Sequence, residues 1–152
     1  MIKSGLAVKF AVAAALILSG CEATHSNVAG TVTRDGTVYA GMSPDTGKAF
    51  YTTPTDAPES YVWSEATAHC RALDAFGHQD WRVPTRDELD TEFNARAAIG
   101  GFNETGSVSA GLYWSSFAND TRRNVGWVER FSDGYQFRNH IGQYHASLRC
   151  VR

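Results

Sequence analysis

Apolar residues recur at helical spacing in the middle of the chain. The steps of three and four positions run through Ala66, Cys70, Leu73 and Phe76. Side chains spaced in this way share one face of an α-helix, so the stretch predicts an amphipathic helix with Cys70 on its buried side. Ser64 is a suitable N-cap for this helix, and Gly77 is a suitable stop.

A second helix is predicted shortly after the first, from a capping-box pattern. Thr85 and Glu88 have the spacing at which the hydroxyl and the carboxylate each accept a hydrogen bond from a free backbone N–H at a helix start. Leu89 and Phe93 then supply an apolar side, and two consecutive glycines at residues 100–101 end the pattern. The polar, glycine-rich segment that follows is predicted to be a surface loop.

Short β-prone runs lie on both sides of the predicted helices. Before them, the turn dipeptide Asp35-Gly36 predicts a hairpin within residues 30–40, and residues 49–52 predict another strand. After them, aromatic-rich runs and a tight turn at residues 132–134 predict a small antiparallel sheet. These runs cover residues 113–117, 125–131, 135–138 and 148–151. The predicted class is α+β, with two helices packed on small antiparallel sheets.

The N-terminus has a basic start followed by a short apolar run. This run, residues 10–18, is much shorter than the roughly 20 residues that span a bilayer, so it predicts an export signal. Leu18-Ser19-Gly20-Cys21 resembles the bacterial lipobox, whose cysteine is lipidated after cleavage; an ordinary signal peptide is the alternative. We expect a signal peptide at residues 1–20, a tether at 21–29 and one domain at 30–152. The chain is then anchored in the cell envelope, at the outer membrane.

Export also bears on the two remaining cysteines. With Cys21 assigned to the lipid, Cys70 and Cys150 are left in an oxidising environment, and we predict a disulfide between them. A loop of this length corresponds to about 4.5 kcal/mol of stabilisation in the chain-entropy model. Neither cysteine has a sequence neighbourhood that indicates an activated thiol, and no other catalytic set is visible, so no enzyme is predicted.

Charge and histidine content point away from two further classes. The net charge is -2 and the basic residues are scattered, which does not indicate nucleic-acid binding. His140 and His145 lie near each other, but no cysteine or glutamate completes a zinc spacing around them. We predict no metal and no cofactor.

Several short motifs occur in one order along the chain. They are Trp63-Ser64-Glu65-Ala66, Cys70, residues 80–85, Glu88-Leu89, residues 113–116 and residues 148–152. Together they resemble the Lcl C-terminal domain family over about residues 60–152. The resemblance implies a C-type-lectin-like fold, whose superfold also includes formylglycine-generating enzymes and the variable proteins of diversity-generating retroelements. Within it, we interpret the tryptophans as core residues and Arg82 as ordering the turn into the second helix.

The chain departs from the calcium-dependent lectins of that superfold. The Glu-Pro-Asn or Gln-Pro-Asp loop and the Trp-Asn-Asp strand of those lectins are both absent. Trp127-Val128-Glu129 is the nearest approach, and it supplies only one hard oxygen ligand. Calcium-mediated sugar binding is therefore not expected.

The stretch at residues 135–146 is the predicted recognition surface, because it concentrates aromatic, Arg, Asn and His side chains. The predicted ligand-binding residues are Arg138, Asn139, His140, Gln143, Tyr144 and His145. We expect an envelope lipoprotein whose lectin-like domain binds a glycan, a glycosaminoglycan or a surface protein in adhesion. The alternatives are a structural envelope component without a soluble ligand, a retroelement-diversified binding protein, and an exposed hairpin with no binding role.

Overall fold

The computed structural model describes residues 28–116 and 124–152, so the predicted signal peptide, Cys21 and most of the tether lie outside it, as does Phe117. Its elements are β1 (Val38–Met42), β2 (Ala49–Thr52), α1 (Trp63–Ala72), α2 (Arg86–Asn94), α3 (Arg96–Ile99), β3 (Leu112–Trp114), β4 (Val125–Arg130) and β5 (Tyr135–His140). Strands β1 and β2 pair with each other, and β3, β4 and β5 form a second antiparallel sheet in that order. The predicted α+β class with small antiparallel sheets is confirmed.

The predicted hairpin at the start of the domain is confirmed as a tight turn joined by a single bridge. Val32 pairs with Val38 across the turn. The Asp35 carboxylate accepts a hydrogen bond from the Thr37 backbone N–H at 2.9 Å and another from the Thr37 hydroxyl at 2.8 Å. These local bonds are typical of aspartate in turns, and they fix the chain as it enters β1.

Helix α1 is shorter than predicted at its C-terminal end, and it begins two residues earlier than predicted, after a different cap. It starts at Trp63 with Val62 as N-cap, so Ser64 lies inside the first turn. It ends at Ala72, whereas the prediction continued to Gly77. The cause is a tight turn in which Phe76 adopts a left-handed backbone with φ 59°. That turn exposes two carbonyls, of residues 75 and 78, to which the Trp81 indole N–H donates at 3.2 and 3.1 Å.

Helix α2 confirms the predicted capping box. The Thr85 hydroxyl accepts the Glu88 backbone N–H at 3.1 Å, and the Glu88 carboxylate accepts the Thr85 backbone N–H at 2.9 Å. Arg82 donates to both oxygens of the same carboxylate at 2.6 and 2.8 Å, which confirms its predicted role in ordering this turn. The helix ends at Asn94, and the short α3 follows it before Gly100, in place of the single longer helix that was predicted.

Residues 148–151 were predicted to form a strand of the C-terminal sheet, and this prediction is wrong. The segment lies outside the three-stranded sheet, although it is central to the fold. Val151 exchanges backbone hydrogen bonds with Arg82, and Arg152 exchanges them with Tyr51. The segment therefore joins the first sheet to the chain that leads into α2. Its Cys150 forms the predicted disulfide with Cys70, with Cα atoms 5.6 Å apart.

Helices α1 and α2 cover opposite faces of the three-stranded sheet. On one face, Leu112, Trp114 and Val128 pack with the disulfide and α1 in the main core. On the other face, a second cluster of buried residues contains Leu89 of α2 with Tyr113 and Phe131. Because side chains alternate along a strand, successive sheet residues point in turn toward α1 and toward α2. None of the helices among the described residues has the length and apolarity needed to cross a membrane.

Candidate functional site

The predicted recognition residues do not form one surface. Arg138 and His140 are exposed and share one face of β5. Asn139 lies between them, points to the opposite face and is only 9% exposed, so it is a poor ligand contact. Tyr144 is exposed in the segment after the strand, and a ring nitrogen of His145 lies 3.1 Å from the Ser60 carbonyl oxygen.

Two of these residues line a shallow polar hollow beside α1. His140 and Gln143 border a cavity of about 410 Å³, together with Ser64 and Asn124. The lining offers hydroxyl, amide and imidazole groups and no acidic side chain. It can hold polar groups of a ligand, and Ile141 adds an apolar contact.

Arg138 belongs to a different arrangement, centred on Trp127. It lies directly opposite Trp127 on β4, and its guanidinium is 5.2 Å from the centre of the indole ring. Arg86, the first residue of α2, places its own guanidinium 5.3 Å from the same ring. One half-buried tryptophan therefore holds two exposed arginines by cation–π contact. We call Arg86, Trp127 and Arg138 the arginine–tryptophan cluster.

A groove continues from this cluster along the start of α2. It consists of two adjoining hollows of about 330 and 440 Å³, which share Asp45, Thr85 and Ser116 in their linings. Arg86 borders the smaller hollow, and side chains of α1 border the larger one. The α1 residues are Trp63, Thr67 and Arg71, which succeed one another four positions apart and so lie on one helix face.

The wall of the groove is held rigid by an ion pair. Arg82 is a bidentate partner of Glu88, whose side chain is fully buried. Burial opposes ionisation of this carboxyl, but the bonds from Arg82 and the Thr85 backbone N–H hold the pKa of Glu88 below its usual value. The same pairing raises the pKa of Arg82, so both groups stay charged. Arg82 thus shapes the groove, whereas Arg71 and Arg86 are exposed along it.

A second set of polar groups is buried beneath α2. The Arg149 guanidinium, fully buried, donates to Asp56 from Nε at 2.8 Å and lies 3.9 Å above the Phe102 ring. Tyr113 donates its hydroxyl to the other Asp56 oxygen at 2.6 Å. Glu92, on the same helix as Arg86, is also fully buried, and burial raises the pKa of its carboxyl to about 8.

Sequence reasoning missed Arg86 as a site residue and interpreted Trp127 only as part of the core. The contact between Trp127 and Arg138 was within reach, since the turn at residues 132–134 fixes the register that sets them opposite each other. Arg86 carried no comparable signal, because only the packing of α2 on the sheet brings it to the indole. Within residues 28–116 and 124–152, no group of three or more His, Cys, Asp or Glu side chains converges as a metal site would.

The molecule is thus a small disulfide-linked α+β domain with a groove at the start of its second helix, lined by arginines, acidic side chains and a tryptophan. The chain matches the Lcl C-terminal domain family over residues 27–152 and belongs to that family. The match includes β1 and β2, and so begins well before the motifs near residue 60 that suggested the resemblance. No curated protein matches the chain.

Proposed function

We propose that this chain is an exported, lipid-anchored envelope protein whose domain binds a glycan that carries acidic groups. The observation that carries the proposal is the arginine–tryptophan cluster, in which Arg86 and Arg138 both contact the Trp127 ring. A guanidinium offers several N–H donors in a planar fork that matches a carboxylate or a sulfate. Two such groups held at one ring form a prepositioned pair for an anionic ligand.

The adjoining groove fits the neutral part of such a ligand. Sugar hydroxyls both donate and accept hydrogen bonds, and the Ser116 hydroxyl on the groove wall can do either. The Thr67 hydroxyl donates to the Trp63 carbonyl oxygen at 3.1 Å and can accept a bond from the ligand. The Trp63 side chain adds a flat apolar surface of the kind that packs on a sugar ring. Arg71, at the far side of the groove, offers a guanidinium for a second acidic group of the glycan. An extended glycan with repeated acidic groups suits this arrangement better than a single small anion.

The proposed location of the protein in the cell envelope is argued from the sequence. The lipobox at residues 18–21 supports acylation of Cys21, and the disulfide between Cys70 and Cys150 is in keeping with an oxidising compartment. The C-type-lectin-like superfold stays a prediction, and so does the absence of catalysis. In this proposal, the groove and the arginine–tryptophan cluster replace the 138–145 stretch as the binding surface.

A titration of the purified protein tests the binding proposal. Heparin is the acidic probe, and chemically desulfated heparin and dextran are the comparisons. We expect binding to heparin that weakens as salt is added, because exposed charges are screened. Arg86→Ala and Arg138→Ala should each reduce the affinity about tenfold, which corresponds to about 1.4 kcal/mol.

The matched control is Arg34→Ala, which removes the same charge from an exposed turn far from Trp127 in sequence. It should leave the affinity nearly unchanged. Equal losses in all three variants would point to attraction by net charge alone and would contradict a site at the cluster. Equal affinity for heparin and dextran would contradict recognition of acidic groups.

A further inference from the structure

We infer that the domain is oriented by its anchor, so that the α3 end faces the lipid surface and the groove at the start of α2 faces away from it. This inference rests on the proposed acylation of Cys21. It concerns the surface that meets the membrane, and it does not depend on which ligand the groove binds.

Contacts along α2 show that the chain enters the domain at the end opposite the groove. At the entry, Gly30 packs so closely on α3 that an added Cβ would lie 2.2 Å from the Ala98 carbonyl oxygen. Further along, a Cβ on Gly41 would lie 3.1 Å from the Thr91 methyl group. Beyond β1, the Thr85 hydroxyl donates to the Asp45 carboxylate at the start of α2. The N-terminal chain therefore runs antiparallel to α2, from its far end to the groove.

Helix length sets the separation between the two ends. Helix α2 contains 9 residues, which corresponds to about 13 Å at 1.5 Å per residue, and α3 follows beyond it. Val28 lies next to the entry point, since the Thr31 backbone N–H donates to its carbonyl oxygen at 3.0 Å. Val28, the first described residue after the anchor, is thus at the α3 end.

The chain between Cys21 and Val28 limits how far Val28 can move from the anchor. Cys21 precedes Val28 by only a few residues, and a fully extended chain spans at most about 3.5 Å per residue, so their Cα atoms lie within about 25 Å. An acylated Cys21 sits at the bilayer surface. Val28 therefore stays within about 25 Å of that surface. No such limit applies directly to the groove end, so the attachment favours orientations in which the α3 end is the nearer of the two.

The chemistry of the two ends agrees with this orientation. Residues 28–33 and 97–103 contain no charged side chain. They include two exposed valines, Val28 at 62% and Val32 at 65%. The groove end contains Asp45, Arg71, Arg86 and Asp87. The charges next to these ranges include Arg96 of α3 and Glu104, which are paired at 2.9 Å. A partly apolar end with few unpaired charges can approach lipid headgroups at lower desolvation cost than an end rich in ionised groups.

The test uses the full chain, with its own signal segment, purified from a bacterial envelope and reconstituted into vesicles. The vesicles contain phosphatidylethanolamine, phosphatidylglycerol and a lipid with a headgroup-attached fluorescence quencher. A single cysteine is introduced at one of two exposed positions, as Ala97→Cys or Asp87→Cys, and labelled with a maleimide fluorophore. Formation of the native disulfide, checked by mass spectrometry, shows that each variant has folded.

We expect strong quenching of the label at position 97 and weak quenching at position 87. Equal quenching, or the reverse order, overturns the orientation. Failure of the wild-type chain to float with the vesicles, or equal flotation of Cys21→Ser, removes the anchor and overturns the orientation as well. The heparin titration is made without vesicles, so the binding proposal stands or fails independently of these results.

Discussion

The interior of the domain and its groove use arginine in opposite ways. Arg149 is fully buried, and its guanidinium is occupied by Asp56 and by the Thr53 carbonyl oxygen. Arg86 and Arg138 are exposed, and both lie against the Trp127 ring. A buried guanidinium with fixed partners stabilises the fold. The exposed Arg138 keeps its donors for a ligand, and Arg86, whose Nε donates to Asp87 at 3.2 Å, keeps its terminal N–H groups. Burial and the available partners thus distinguish an arginine that stabilises the fold from one that can bind a ligand.

The largest effect on stability is expected from the interior member of this comparison. Arg149→Met leaves the Asp56 carboxylate without its charged partner, and breaking a buried ion pair in this way costs about 3–5 kcal/mol. Urea unfolding of the purified protein measures the loss. Arg34→Met is the matched control and should change the unfolding free energy by less than about 0.5 kcal/mol. A similar small change for Arg149→Met would mean that Arg149 contributes little to the fold.

The loss of stability expected on replacing Arg82 is intermediate, because its partner Glu88 is buried but its own side chain is 42% exposed. Arg82→Met leaves the Glu88 carboxylate with only the Thr85 backbone N–H, and we expect a loss of about 2 kcal/mol. The double variant Arg82→Met with Glu88→Gln should be less destabilised than the sum of the two single variants. Strict additivity in this cycle would show that the ion pair does not hold the wall of the groove.

The buried acids give the interior a pH dependence that the groove arginines lack. Burial raises the pKa of Glu92 to about 8, and it raises the pKa of Glu129 to about 8 as well. Between about pH 5 and 8 these groups are protonated in the folded state but ionised in the unfolded state. The folded state therefore binds more protons, so the unfolding free energy falls as pH rises through this window.

For one such group the slope approaches about 1.4 kcal/mol per pH unit. Urea unfolding at intervals from pH 5 to 9 measures the slope, and Glu92→Gln should reduce it. Asp87→Asn, an exposed change on the same helix, serves as the control and should leave the slope unchanged. Stability that rises with pH across this window would contradict the protonated state of these carboxyls.

The smallest effect on stability is expected at the arginine–tryptophan cluster. Arg138→Ala removes an exposed side chain stacked on one ring, so the unfolding free energy should change by less than about 0.5 kcal/mol. Heparin affinity should nevertheless fall about tenfold. A large loss of stability without a loss of affinity would reverse the assignment and place Arg138 with the structural arginines.

Local patterns predicted the parts of the fold that depend on neighbouring residues. The Thr85–Glu88 capping box and the turn at Asp35-Gly36 were recognisable because their hydrogen bonds join residues two or three positions apart. The end of α1 was predicted wrongly because the apolar spacing does not reveal the turn that contains Phe76, whose carbonyls at residues 75 and 78 accept the Trp81 indole N–H. The disulfide was predictable because assigning Cys21 to the predicted lipid anchor leaves only Cys70 and Cys150 to pair.

The candidate site was harder to predict, since it depends on contacts between elements distant in sequence. Arg138 was among the predicted binding residues, but it was chosen for its neighbours in sequence and not for its contact with Trp127. Asn139 was included with it although alternation along β5 turns its side chain to the other face. Arg86 was not considered, because nothing near it in sequence indicates that α2 would bring it to an indole on β4.

The most direct test of the binding account is a two-dimensional NMR titration of the protein with a sulfated heparin oligosaccharide. The indole N–H signals of the four tryptophans are assigned with single Trp→Phe variants. We expect a saturable shift of the Trp127 signal that is lost in Arg138→Ala, with little change at the buried Trp81 and Trp114. Saturable binding that leaves the Trp127 signal unmoved would contradict a site at the arginine–tryptophan cluster.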